Sequence, residues 1–260
     1  MTPIVLQHGL FGFSDIGVGK LKITYFNRID RALAARGHPL IIPRVHPTGT
    51  IAKRAAMLKR TILKTLEESG TPSERVIIFA HSMGGLDARY MISRLGMEER
   101  VAALVTICTP HRGSAYADWC LQNLGRKLGG MKLVRMLGLD VRAITDLTSE
   151  ACARFNEKYP DAPGVKYFSI AAVRQWHRLP PYLLHSHRIV KEIEGDNDGI
   201  VAERSAIWGE HLATWPCDHL HAINKRLLPE VHHKTGDVTP RYLRIVDRLI
   251  EDGLCLGTTR

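Results

Sequence analysis

Residues 76–85 read Val76-Ile77-Ile78-Phe79-Ala80-His81-Ser82-Met83-Gly84-Gly85. A continuous apolar run of this length predicts a strand buried on both faces. Residues 86–95 then carry helical periodicity and stop near Gly96. Between the two lies the pattern small residue, any residue, Ser, any residue, Gly. Such a turn reverses the chain within a few residues and presents a strained serine as a nucleophile. The positions two residues either side of Ser82 must be small, or the helix could not pack against the strand. Gly84 meets that need, and Ala80 adds only a methyl group where Gly is usual. A serine that merely caps a helix would give the same residues in isolation; a buried strand before it and a helix after it favour the nucleophilic reading.

Outward from this turn, short apolar runs alternate with helical patterns. Strands are predicted at 3–7, 40–45, 101–108 and 165–172. Helices are predicted at 25–36, with Ile29, Leu33 and Ala34 on one side and Gly37 as the stop, at 51–68, with Ala55, Leu58, Ile62 and Leu66 in register, and at 240–252. Alternation of this kind predicts an α/β class fold, with a mostly parallel central sheet flanked by helices. No repeat or Gly/Ser linker divides the chain, so residues 1–260 read as one domain. Residues 115–155 are too long for a simple crossover. They carry Trp119, Leu121, Leu124, Leu128, Met131, Leu133, Val134, Met136, Leu137 and Leu139, interrupted by Gly125, Gly129, Gly130 and Gly138. Two readings stand: ordinary packed helices, or a helical cap or lid over a site. On the second, Leu124 and Leu128, with Phe11, are expected to contact substrate.

Composition is that of a globular chain, 45% hydrophobic and 24% charged, with a net charge of +10. Lys53, Arg54, Lys59, Arg60 and Lys64 fall at helical spacing and read as a solvated helix face. No basic arm or interleaved aromatic row occurs, so nucleic acid is not an expected partner; attraction to an anionic lipid surface is the remaining use for the charge. Cys108, Cys120, Cys152, Cys217 and Cys255 are odd in number and form no C-x-x-C pair, so free thiols are expected and a zinc site is not. No leader pattern precedes residue 4 and no run of about 18 apolar residues occurs, from which a cytoplasmic location is expected.

A serine hydroxyl needs a base, and the base needs an orienting group. Behind such a turn the chain order is Ser, then Asp or Glu, then His. Gly195-Asp196-Asn197-Asp198-Gly199-Ile200-Val201 is a tight acidic turn after an expected strand at 189–193. Asp198, directly before Gly199, is the expected acid, with Asp196 as its rival. Cys217-Asp218-His219-Leu220-His221 offers the base. His219 precedes an apparent helix and His221 falls inside it, which favours His219. His211, His232 and His233 have no converging loop, and His185 and His187 precede the acid. The oxyanion donors are expected from the backbone: Leu10 N–H in His8-Gly9-Leu10-Phe11-Gly12, and Met83 N–H directly after the serine. His8 is expected to pack and hold its loop.

These segments resemble, in this order, the secreted bacterial triacylglycerol lipases of the α/β-hydrolase superfamily. The resemblance rests on His8-Gly9-Leu10-Phe11-Gly12-Phe13, His81-Ser82-Met83-Gly84-Gly85, Thr109-Pro110-His111-Arg112-Gly113-Ser114, Asn197-Asp198-Gly199-Ile200-Val201 and Asp218-His219-Leu220. It implies the α/β-hydrolase fold, a Ser82–Asp198–His219 triad, oxyanion donors Leu10 and Met83, and hydrolysis of lipid-like or medium-chain esters, with a lipid–water interface as the place of action. Those lipases also carry a calcium site, with an Asp two residues after the histidine and a Gln nearby. His221 and Lys225 stand there and remove oxygen ligands, so no metal and no cofactor is expected. An acyltransferase, thioesterase or amidase would use the same triad, and a catalytically silent binding protein would have lost part of it. Oligomeric state is not legible.

Overall fold

The computed structural model describes residues 1–12, 15–16, 23–71, 74–126, 141–225 and 236–256. Its main sheet has six strands: β1 (Ile4–Gln7), β4 (Leu40–Ile41), β5 (Val76–His81), β6 (Val101–Ile107), β7 (Lys166–Ala172) and β8 (Glu210–Trp215). They lie in the order β4-β1-β5-β6-β7-β8, and every adjacent pair is parallel. A short antiparallel pair, β2 (Asp15–Ile16) with β3 (Ile23–Thr24), stands apart.

The central strands are apolar on both faces because helices cover both. On one side Ile77 and Phe79 of β5 pack with Ile29 and Leu33 of α1 (Ile29–Ala35) and with Tyr242, Val246 and Leu249 of α8 (Thr239–Glu251). On the other, Val76, Ile78 and Ala80 meet Leu58, Ile62 and Leu66 of α2 (Ile51–Glu68) and Ala88, Met91 and Ile92 of α3 (Met83–Arg94). Each fully buried side chain of this size contributes about 1.5–3 kcal/mol, so the apolar stripe outweighs the Thr50 cap on Lys53 N–H (3.4 Å), worth about 1 kcal/mol, in holding α2.

Several expectations shift. The expected strand at 189–193 is the end of a helix, α7 (Leu184–Ile193). Its buried residues Ser186, His187 and Val190 follow helical spacing, and Ile193 faces solvent. The strand that follows β7 is β8, an edge strand whose half-exposed residues hide its period. Expected strand 40–45 pairs only over Leu40–Ile41, because Pro43 has no N–H for a ladder. The expected helix at 25–36 begins at Ile29, and Tyr25 and Phe26 turn into the core instead. Arg54 is not part of a solvated face; it is fully buried.

Between β6 and β7 lie α4 (Ala115–Arg126), α5 (Val141–Thr145) and α6 (Ser149–Lys158). Ala143, Cys152 and Phe155 pack onto Ile51, Met83 and Leu86, so this helical insertion covers the start of α3. The side chain of Leu124 and all of Leu128 lie outside the described residues. Among the described residues no helix is long and apolar enough to cross a membrane, and all five cysteines are free thiols.

Candidate active site

Parallel strands send their carboxyl ends to one edge of the sheet, and Ser82, the Leu10 turn and His219 follow the ends of β5, β1 and β8. Ser82 sits directly after β5 with φ 55° and ψ −134°, a backbone state that costs a non-glycine residue about 1–3 kcal/mol. The surroundings enforce it. Ser82 N–H donates to Ile107 O (2.9 Å), and Ser82 O accepts from Gly85 N–H (3.0 Å) and the Thr109 hydroxyl (2.8 Å). A methyl group at Gly84 would lie 2.8 Å from His8 O, so α3 can seat against β1 only with glycine there. Ala80 is buried without strain in the α2–α3 layer.

The structure brings Ser82, His219 and Asp198 into one chain. His219 Nε2 lies 3.0 Å from Ser82 Oγ and His219 Nδ1 lies 2.7 Å from Asp198 Oδ2. The carboxylate is buried, and its other oxygen accepts from the N–H groups of Ile200 (2.9 Å) and Val201 (2.8 Å). His219 N–H donates to Asp198 O (2.9 Å), which ties the two loops at the backbone as well. The rivals point elsewhere. Asp196 is exposed and faces Lys191 Nζ (2.5 Å). His221 Nε2 donates to Gly236 O (2.9 Å), and His211 meets Thr214 (3.0 Å). His185 stacks edge-on against Trp119, and His187 is buried in α7. His232 and His233 lie outside the described residues.

The turn after β1 stands against the serine: a methyl group at Gly9 would come 2.7 Å from Ser82 Cβ. Gly9 N–H donates to the Tyr25 hydroxyl (3.1 Å) and Phe11 N–H to Pro47 O (2.8 Å). Leu10 N–H, between them, has no acceptor among the described residues. Met83 N–H opens α3, where no helical acceptor exists. Phe11, 56% exposed and at φ 55°, projects from the same turn. His8 Nδ1–H donates to Gly9 O (2.8 Å), and burial, then Arg54, pull the imidazole down to about 4. It is neutral and holds its loop.

Sequence reasoning missed the support beneath this turn. Arg54 Nη2–H donates to His8 O (2.6 Å) and Gly9 O (3.2 Å), and Arg54 Nε–H to Asp87 Oδ2 (2.8 Å). By turning those carbonyls inward, the guanidinium leaves the following N–H directed outward. Burial pushes Asp87 up to about 6 against the pull of Arg54. The signal was present: Arg54 lies three residues after Ile51 and four before Leu58, inside the buried stripe.

His81, Cys108 and His219 place ligand-type atoms within 4.8 Å of one another. Both nitrogens of each ring are already committed: His81 to Tyr25 (2.8 Å) and His219 O (2.9 Å), His219 to Asp198 and Ser82. Burial and the nearby Asp198 carboxylate hold the Cys108 thiol well above its ordinary value, and no ring nitrogen of the cluster is left over as a ligand. The cluster therefore does not fit a metal.

Residues 48–148 match the PGAP1-like alpha/beta domain family. Triacylglycerol lipase 2 of Saccharomyces cerevisiae is 31% identical over 252 residues, covering 90% of this chain and 75% of the relative. Triacylglycerol lipase of Vibrio cholerae is 27% identical, covering 97% and 88%. Among solved structures, mature lipase BlEst2 of Bacillus licheniformis superposes with a TM-score of 0.71 at 23% identity, over 94% of this chain and 91% of that one. Staphylococcus hyicus lipase gives 0.73 at 17% identity, over 96% and 95%.

Proposed function

Because this chain belongs to the triacylglycerol lipase family of α/β-hydrolases, we propose that it hydrolyses carboxylic esters by acyl transfer through Ser82. The observation that carries the assignment is the continuous hydrogen-bonded chain from Ser82 Oγ through His219 to buried Asp198. His219 Nε2 takes the serine proton as Oγ bonds to the ester carbonyl carbon, and the carbonyl electron pair moves onto oxygen. Leu10 and Met83 N–H groups donate to that oxyanion. Collapse breaks the ester C–O bond, and the alcohol leaves with the proton from His219. Water, deprotonated by the same imidazole, then releases the acid and restores Ser82. Asp198 orients the imidazole and stabilises the imidazolium.

Ser82→Ala tests this reading: hydrolysis of a p-nitrophenyl ester falls by roughly 10⁶-fold, and labelling by a fluorophosphonate disappears. Retained activity overturns the assignment.

Lipid-like esters are the substrate class we infer. Exposed Phe11, Trp176, Tyr182 and Leu184 follow the carboxyl ends of β1 and β7, at the same edge as Ser82. Residues 173–191 hold no Asp or Glu, which favours a surface of opposite charge. The helical insertion between β6 and β7 would act as the cap; the Leu124 side chain and Leu128, expected against the acyl chain, lie outside the described residues. A rate that jumps when a long-chain ester passes its solubility supports this class; a rate that follows only short soluble esters makes the protein a carboxylesterase. Calcium plays no part in the proposal. His221 offers only ring nitrogens, one of them donating to Gly236 O, and Lys225 brings a cation that lies over the Tyr25 ring. A chelator should leave the rate unchanged.

A further inference from the structure

Between the oxyanion turn and the base loop runs a buried line of hydrogen bonds that the chemistry above does not use. Its middle members are Tyr25 and His81, both removed from solvent. Gly9 N–H donates to the Tyr25 hydroxyl oxygen (3.1 Å). Tyr25 Oη lies 2.8 Å from His81 Nδ1, and His81 Nε2 lies 2.9 Å from the backbone carbonyl of His219.

Only one assignment of protons satisfies all three contacts. A carbonyl oxygen cannot donate, so His81 carries its proton on Nε2. A neutral ring then has a bare Nδ1, which accepts from the Tyr25 O–H. The phenol oxygen keeps a lone pair for Gly9 N–H. The line has one direction: Gly9 N–H to Tyr25, Tyr25 O–H to His81, His81 Nε2–H to His219 C=O. Protonating His81 would put an N–H against the phenol oxygen where the neutral ring accepts the Tyr25 O–H. Burial, and then the neighbouring His219, keep the imidazole neutral well below its ordinary value.

We propose that Tyr25 and His81 are positioning residues that lock the oxyanion turn and the backbone of the base to each other around Ser82. The inference rests on Ser82 being the nucleophile. His219 is held by the backbone on both sides of its Cα: its N–H donates to Asp198 O (2.9 Å) and its C=O accepts from His81. Gly9 is the residue directly before the Leu10 N–H that faces the oxyanion. A shift at either end of the line therefore moves the other relative to Ser82 Oγ. His81 is also the residue directly before the nucleophile, so the line crosses the elbow itself. Buried polar lines of this kind are rigid when every member is satisfied.

The test removes one oxygen atom. Tyr25→Phe keeps the ring and deletes the hydroxyl's bonds to Gly9 and His81. Turnover of a soluble p-nitrophenyl ester is measured per active site counted by fluorophosphonate titration, so that misfolded protein drops out of the comparison. We expect kcat per titrated site to fall about 10- to 100-fold, short of deleting an oxyanion donor outright, while KM stays within about twofold. His81→Gln keeps a side-chain N–H for His219 O but loses the ring acceptor for Tyr25. Because the two substitutions break the same link, the double variant should cost no more than the worse single one. A merely structural role would lower the number of titrated sites and leave kcat per site unchanged; that result, or additive losses in the double variant, overturns the proposal. Ser82→Ala is run alongside. Activity retained there rejects the nucleophile assignment, whereas an inactive Ser82→Ala with an unimpaired Tyr25→Phe rejects the positioning line alone.

Discussion

Replacing Arg54 by methionine would strand a carboxylate that the fold cannot hydrate. Arg54 and Asp87 are both fully buried, with Nη2 and Nε each 2.8 Å from Asp87 Oδ2, and Gln7 Nε2–H donates to the same oxygen (2.9 Å). Methionine keeps most of the length and removes the charge. Breaking a buried pair from one side costs about 3–5 kcal/mol. That is a large share of the roughly 5–15 kcal/mol that holds a domain folded. At about 2–4 °C per kcal/mol for a chain of this size, the melting temperature should fall by roughly 6–20 °C. Burial already raises Asp87 to about 6 with Arg54 opposing it; without Arg54 it rises further. An unfolded chain returns Asp87 to its ordinary range, so the folded state binds the extra proton. The acid's contribution is therefore most favourable below the unfolded value and is lost as pH rises through the folded one. The deficit of Arg54→Met should be larger at about pH 8 than at about pH 5, and Asp87→Asn in the same background should remove most of that difference. Urea unfolding followed by tryptophan fluorescence at both pH values measures it. A deficit below about 1 kcal/mol, inside the ordinary range for single substitutions, would refute the reasoning, as would an equal deficit at both pH values. Activity should fall with stability, because the carbonyl of His8 loses its guanidinium donor and that of Gly9 keeps only His8 Nδ1–H and Gly12 N–H.

Two further outcomes follow from contacts around the serine. Gly9→Ala places a methyl group 2.7 Å from Ser82 Cβ, so the oxyanion turn must retreat. We expect a loss of about 10²-fold or more in kcat with the fold intact by circular dichroism, and activity within twofold of the parent would show that the turn is not where the oxyanion sits. In the native protein iodoacetamide should alkylate Cys120 first. It is the half-buried thiol, while Cys108, Cys152, Cys217 and Cys255 are buried, and burial pushes Cys152 up to about 12. Peptide mass spectrometry after brief labelling decides it, and early modification of Cys108 would contradict the closed geometry beside Asp198.

The class of the fold and the strained turn at Ser82 were legible in the chain because both depend on local periodicity. An apolar strand, a turn that only small residues permit and a helix must follow one another within about a dozen residues. The order Ser, acid, His then narrowed the base and the acid to two short turns. Edge strand β8 was not legible, since a strand with half its residues wet loses the alternation that marks it. Nor was α7, whose apolar tail Ile189-Val190 with Ile193 resembles a strand until the buried positions show helical spacing. What only the tertiary structure decided is which polar side chains are removed from water. Arg54 among lysines and Tyr25 at an expected helix start read as surface and packing residues in one dimension. Their partners, Asp87, His8, Gly9 and His81, are 33 to 56 residues away or belong to another strand. Such contacts exist only once the sheet has brought the carboxyl ends of its parallel strands to one edge, and that is where the strained Ser82 comes into hydrogen-bonded line with His219 and Asp198.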